Sequence, residues 1–417
     1  MRLLFVHQNF PGQYKHLAPY FASRPGNEVV GIGEKDNVIR QRPVMPGVKL
    51  LGYNLPKLDP AKVTPFNQSV LRAIHRGRVV ARGALGLRKS GFRPDVIFTH
   101  IGWGEPLFLK DIFPEAKVLL YCEFFYHSSG SDVGFDREFP QSLEGVLRLR
   151  VMNSPLLMSL DASDWGIAPT QWQQRQFPAG YASRISVIHE GVDTAFVAPD
   201  GNARFAVPGT GRTLSREDEV ITYVARNYEP YRGFHVFMRT LPAILRRRPK
   251  AQVVMVGGDE VSYSPRLPGG QSYRQRMLAE MDGKIDFSRV HVCGRIPYGD
   301  YLSLLRVSSA HVYLTYPFVL SWSLIEAMSA GCIVVASRTP PVEEVMRDGE
   351  NGLLVDFFDT EGIAARVDEA IRKAKELQPL RARARATAVA GYDLRNVCLP
   401  KQTALVEALA AGRTPAP

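Results

Sequence analysis

Residues 316–359, YPFVLSWSLIEAMSAGCIVVASRTPPVEEVMRDGENGLLVDFFD, limit the fold more than any other part of this chain. Residues 323–330 make a short helix that Gly331 ends, because glycine accepts the left-handed conformation favoured past a helix C-terminus. Residues 332–336 are a continuous apolar, β-branched run, the pattern of a parallel strand covered on both faces. A polar turn at 337–341 follows, then Glu343 and Glu344, then a turn at 348–352. In open α/β sheets the loops at the carboxyl ends of strands bind ligands. The unit therefore offers Glu326, Ser337, Thr339 and Glu343 to line a crevice.

The same alternation runs through the chain twice. In the first half, strands are expected at 3–7, 29–32, 48–52, 95–100, 116–122, 165–168 and 185–188. Helices are expected at 14–22, 69–87, 143–160 and 171–177, and a Gly/Ser/Asp-rich aromatic loop fills 124–140. Around 199–217 the pattern lapses into Pro, Gly, Ser and Thr, which reads as an interdomain linker. It restarts with strands at 220–225, 252–257, 290–293 and 311–314, and helices at 359–377 and 397–411 finish the chain. The expectation is an α/β protein of two Rossmann-like, doubly wound domains facing across a cleft. The boundaries are 1–200, a linker at 201–217, 218–385, and a C-terminal helical segment at 386–417 that packs back toward the first domain.

Charge narrows the partners. Against 41 acidic side chains stand 52 basic ones, a net +11 that favours phosphates, nucleotides or other anions, or marks a basic surface without a partner. No RNP-like, helix-turn-helix or zinc pattern appears, so nucleic acid is not expected as a partner. The helix at 69–87 carries Arg72, Arg76, Arg78 and Arg82, with Arg88 and Lys89 just beyond, at mixed spacings. A solvated face is the preferred reading, with a membrane surface or an anionic acceptor as the alternative. Cys122, Cys293, Cys332 and Cys398 have no ligand-like spacing; free thiols and no metal site are expected. The opening MRLLFVHQNF is too short for a signal peptide, and no run approaches the ~20 apolar residues of a membrane-spanning helix. A cytoplasmic protein is expected, with peripheral contact at the inner membrane face as the alternative.

Chemistry concentrates where the second series begins. The strand at 220–225 runs into Arg226-Asn-Tyr-Glu-Pro-Tyr-Arg232-Gly233. Two guanidiniums across one turn can converge on a diphosphate, whose oxygens match the planar fork of arginine. Gly233 lets the next helix start close to the anion. A solvated arginine pair is the other reading.

From residue 220 onward the chain resembles the family-four retaining glycosyltransferases of the GT-B architecture. Arg226 and Arg232-Gly233 match the family's diphosphate-holding pair, and the runs at 254–258 and 290–294, followed by Arg295 and Ile296, match its next two strand ends. Glu326-Ala-Met with Gly331, and NGLLV at 351–355, match its most recognisable part; HEGVD at 189–193 resembles the turn that closes its N-terminal domain. The resemblance is loose before residue 185. It implies that Glu326 holds the ribose hydroxyls, that the base lies near Arg295 and Ile296, and that the diphosphate meets Arg226, Arg232, Gly233 and a glycine loop reduced here to Gly12.

The chain also departs from that pattern. Members usually carry Glu-x7-Glu ending at the Glu326 position, with sugar-reading residues after the first glutamate. Here Phe318 replaces that glutamate, with Val319 and Ser321 at the glycine positions; Phe318 could stack on a sugar or fill the core. Where the family often has a histidine near the reacting carbon, this chain has Glu123, with His127 four residues on and His100 ending the neighbouring strand. Glu123 could act on an acceptor hydroxyl, orient the sugar, or pair with an arginine. The resemblance implies an enzyme without metal or cofactor that moves a sugar, with retention, from a UDP- or GDP-type donor to a glycan, lipid-linked or small-molecule hydroxyl in bacterial glycan, polysaccharide or glycolipid synthesis. The alternatives are a nucleotide-sugar epimerase or hydrolase, and a catalytically silent nucleotide-binding subunit.

Overall fold

The computed structural model describes residues 1–41 and 45–415. Two compact units divide the chain, Met1–Gly191 with Arg395–Pro417, and Val192–Leu394.

The first unit is built on seven parallel strands: β1 (Arg2–Val6), β2 (Glu28–Glu34), β3 (Val48–Tyr53), β4 (Val96–His100), β5 (Lys117–Tyr121), β6 (Trp165–Ala168) and β7 (Ile185–Val187), in the order β3-β2-β1-β4-β5-β6-β7. Side chains alternate across each strand, so both faces need covering. Leu4 and Val6 pack with Val80, Ala84 and Leu87 of the helix Gln68–Lys89 on one face. Leu3 and Phe5 pack with Leu17 and Phe21 on the other, where the helix Leu399–Ala410 adds Leu405, Val406 and Leu409.

In the second unit a two-stranded ribbon, β8 (Phe205–Ala206) and β9 (Thr213–Leu214), precedes six parallel strands. These are β10 (Val220–Asn227), β11 (Gln252–Gly258), β12 (Val290–Val292), β13 (Ala310–Tyr313), β14 (Val334–Ser337) and β15 (Leu353–Val355), in the order β12-β11-β10-β13-β14-β15. In both sheets the connections reverse direction beside the first strand, between β1 and β4 and between β10 and β13. That reversal opens a crevice at the strands' carboxyl ends.

Three expectations are corrected. Residues 201–217 are not a linker: they form the β8–β9 hairpin, which buries Phe205, Val207 and Leu214 against Val220, Val254 and Leu304 of the second unit. The alternation of Phe205 and Val207 carries this signal inside a stretch whose Pro208, Gly209 and Gly211 serve the hairpin turn. The boundary at 385/386 falls inside one helix, Gln378–Tyr392, which packs on the helix Trp322–Ser329. Its buried face is Leu380, Ala384 and Ala388, too weakly apolar to announce a helix by period. The chain passes between units at 191/192 and 394/395 instead. The helix expected at 143–160 is two, Leu143–Met152 and Ser154–Asp161. Between them, Asn153 turns its amide to the backbone of Tyr126.

All four cysteines are free thiols, three of them buried. Among the described residues no helix is long and apolar enough to cross a membrane, and no cluster of three potential ligands is arranged to hold a metal ion.

Candidate functional site

At the β10–β13 reversal the backbone is held tightly. The Tyr223 hydroxyl donates to the Arg232 carbonyl (2.7 Å), and Gly233 adopts φ +67° where a Cβ would lie 2.4 Å from the Leu314 Cβ. Only glycine fits there, and the helix Phe234–Arg247 starts from it. The preceding turn drives the Arg232 side chain inward, to 8% exposure. Its Nη1 donates to Thr315 Oγ1 (2.7 Å) and the Val319 carbonyl (3.0 Å), and the guanidinium lies 5.9 Å from the Tyr263 ring centroid. These partners are all neutral; no carboxylate stands within ion-pair distance of Arg232 among the described residues. Burial opposes the Arg232 charge, while neighbouring groups that include the Glu229 carboxylate, beyond ion-pair distance, favour it and raise its pKa; an anionic ligand would give the guanidinium a direct charged partner.

Tyr263 is fixed from below. The Glu229 carboxylate, 1% exposed, accepts the backbone N–H groups of Ser262 (3.1 Å), Tyr263 (2.9 Å) and Ser264 (2.9 Å), which ties the loop after β11 to the turn that carries Arg232. Glu326 projects from the helix Trp322–Ser329 with 8% exposure. Tyr298 donates to its Oε1 (2.6 Å) and Tyr301 to its Oε2 (2.7 Å). Burial first, and the Glu326 charge second, hold both phenols well above their ordinary pKa, so they remain donors.

A second cluster stands at the β1–β4 reversal of the first unit. Gly12 has φ +50°, and a Cβ there would press on the His7 ring at 2.9 Å. The His7 ring meets that of His100 edge-on at 5.1 Å, and His100 also packs on Trp103 (5.9 Å) and Tyr121 (5.3 Å). His100 Nδ1 accepts the Gly102 N–H (2.9 Å), which assigns the neutral ring's proton to Nε2, 3.5 Å from Glu123 Oε2. His189 repeats the device: its Nδ1 accepts the Gly191 N–H (2.9 Å), and its Nε2 lies 3.6 Å from Glu190, whose other oxygen accepts the Tyr121 hydroxyl.

Two family models match this chain, one described as glycosyl transferase family 4 group over residues 25–197, the other as glycosyl transferases group 1 over residues 211–387. The chain belongs to the family-4 glycosyltransferases. Among its relatives is the phosphatidyl-myo-inositol mannosyltransferase of Mycolicibacterium smegmatis, 29% identical over 182 residues, 43% of this chain and 40% of that protein. Another is the D-inositol 3-phosphate glycosyltransferase of a Nocardioides species, 26% identical over 249 residues, 55% of this chain and 50% of that protein. The match thus spans half or less of these relatives' length. In fold, this glycosyltransferase resembles Anabaena HepE crystallised with UDP, with a TM-score of 0.68, 16% identity, and coverage of 98% of this chain and 100% of that one. It likewise resembles the sucrose-phosphate synthase of Thermosynechococcus elongatus, with a TM-score of 0.73, 18% identity, and coverage of 99% and 100%.

The residues expected at a family-4 site stand in different environments. Arg226 sits where the β10–β11 register shifts; it is exposed and makes no hydrogen bond or ion pair among the described residues. Phe318, 2% exposed, fills the core: it packs edge-on against Tyr263 (4.8 Å) and Tyr231 (5.3 Å) and offers no face to a sugar. Ser321 bonds the Tyr313 hydroxyl and Ser323. Arg295 is largely exposed, joined to Asn227 (3.0 Å) and Glu260 (2.8 Å), while Ile296 packs against the second unit's core. Ser337 and Thr339 are buried and bond each other and Thr315, so they do not line a crevice; Glu343 is exposed near Arg338 (3.6 Å). His127 turns away from the His100–Glu123 pair to the Gln176 carbonyl (2.7 Å). Sequence reasoning missed Tyr298, Tyr301, Glu229, Tyr263 and His7. The tyrosine pair is spaced i, i+3 at the start of a helix, which puts both on one face but does not by itself point to Glu326.

Proposed function

We propose that this glycosyltransferase moves a sugar from a nucleoside-diphosphate donor to an acceptor hydroxyl, with retention at the sugar carbon. The observation that carries the proposal is Arg232: a buried cation on neutral partners, at the sheet's reversal point, beside a glycine-started helix. As the bond between sugar and diphosphate breaks, negative charge gathers on the phosphate oxygens, and a fixed guanidinium stabilises it without reorganising. Glu326, with a lone pair left on each oxygen, accepts from the ribose diol. The departing phosphate takes the proton of the attacking hydroxyl on the same face, so no nucleophilic side chain is needed. On the first unit, Glu123 and the Nε2 proton of His100 supply an acceptor and a donor for a hydroxyl. The named substrates of the relatives favour a cyclitol or lipid-linked hydroxyl, and the UDP complex of HepE favours a uridine donor.

The test is a thermal-shift screen of nucleotide-sugars, then product analysis with inositol, lipid-linked and small-molecule acceptors. Transfer dependent on an added acceptor is expected. Turnover without an acceptor would instead indicate an epimerase or hydrolase, and stabilisation by no nucleoside diphosphate would indicate a silent subunit.

A further inference from the structure

Beside the helix Gln68–Lys89, the loop that leaves β3 folds over a cavity of about 540 Å³. Leu55 and Leu58 give it apolar walls; Lys57, Arg72 and Arg76 give it cations, His75 adds an imidazole, and no carboxylate lines it among the described residues. Positions 72, 75 and 76 are successive places on one helix face, so the fold sorts the arginines that the sequence leaves at mixed spacings. Arg78, Arg82 and Arg88 belong to no wall of the cavity; Arg72, which is also exposed, the half-buried His75 and the buried Arg76 belong to it.

The cations are not equivalent. Arg76 is 8% exposed and already engaged: it bonds Glu34 (3.0 Å) and the Trp103 carbonyl (3.1 Å), and its Nε lies 3.8 Å from the fully buried Glu105. Lys57, Arg72 and His75 make no hydrogen bond or ion pair among the described residues. Three uncommitted donors thus face a space large enough for a small organic anion. The cavity is also tied to the strand-end cluster, because Trp103, which receives the Arg76 bond, packs on His100.

We propose that this cavity binds a phosphate ester carried by the sugar acceptor, through Lys57, Arg72 and His75. The inference rests on the glycosyl-transfer reading and narrows its acceptor to a phosphate-bearing hydroxyl compound. Such an ester comes either as a soluble metabolite or as a lipid headgroup. Arg76, held by Glu34 and the Trp103 carbonyl, is the fixed back wall and stays unaltered in the test.

The full chain and its Arg72→Gln/His75→Gln variant are titrated with glycerol 3-phosphate and with glycerol, sedimented with vesicles of phosphatidylglycerol and of phosphatidylcholine, and titrated separately with UDP. The wild type is expected to bind glycerol 3-phosphate and not glycerol if the ester is soluble, or phosphatidylglycerol and not phosphatidylcholine vesicles if it is lipid-borne. The variant should bind the same probe at least tenfold more weakly, with unchanged UDP affinity. Equal binding by variant and wild type, or no binding in either arm, overturns the proposal. Failure of the wild type to bind UDP strikes the glycosyl-transfer reading instead, and the phosphate arms still report on the cavity.

Discussion

Each oxygen of the Glu326 carboxylate receives one tyrosine hydroxyl and keeps a further lone pair for a ligand. The tyrosines therefore orient the carboxylate without using it up. Replacing Tyr301 by Phe leaves a buried carboxylate short of a donor, a loss of about 1.5–3 kcal/mol for a hydrogen bond to a charged group. Urea unfolding should show that loss, and UDP affinity should fall with it; unchanged values in both would mean Tyr301 is a bystander. Glu326 was legible in the sequence because its helix, glycine and strand follow one another closely. Its tyrosines were not, because they sit 25 and 28 residues away on another helix. Phe318 was legible as a departure, but only packing against Tyr231 and Tyr263 decides that it fills the core.

At the scale of elements, the strands were the easiest part to read. Buried parallel strands are short continuous apolar runs, and turns or glycines bound nearly all of them here. The β8–β9 hairpin and the alanine-faced helix Gln378–Tyr392 were harder, since each buries its surface through few large side chains. One strand residue also gives the fold a pH response. His311 on β13 is fully buried, with Nδ1 2.9 Å from Thr222 Oγ1 on β10, and burial lowers its pKa from 6.5 to about 4. The unfolded imidazole takes its proton near pH 6.5 and the folded one near 4, so the unfolded chain binds more protons between these values. Stability should fall as pH drops through that window, by about 3 kcal/mol from this residue. Denaturation of the wild type and of His311→Gln across about pH 4–7 checks it: the variant's curve should be flatter, and parallel curves would remove His311 as the cause.

For the whole molecule, the first unit is discontinuous in sequence, because Arg395–Pro417 belongs to it. Ending the chain at Leu394 would strip Leu405, Val406 and Leu409 from the first unit's core, roughly 5 kcal/mol of burial. Hydrogen exchange should then show lost protection in β1 to β7 and retained protection in β10 to β15; uniform protection would mean the C-terminal helix is dispensable. The two-unit plan was readable from the repeated strand–helix series. The crossing at 191/192 falls within the HEGVD turn that resembles the close of the family's N-terminal domain, whereas the crossing at 394/395 was not readable, because no run of linker composition marks it. On the proposed reading, function hinges on the second unit's buried arginine meeting a nucleoside diphosphate. Calorimetric titration of the full chain with UDP and with GDP, wild type beside Arg232→Gln, puts that meeting to the test. Saturable binding of at least one nucleotide by the wild type is expected, with a loss of at least about 100-fold in the folded variant, in line with truncating one partner of a buried charge pair. Equal affinity in the two proteins would mean that Arg232 does not hold the diphosphate.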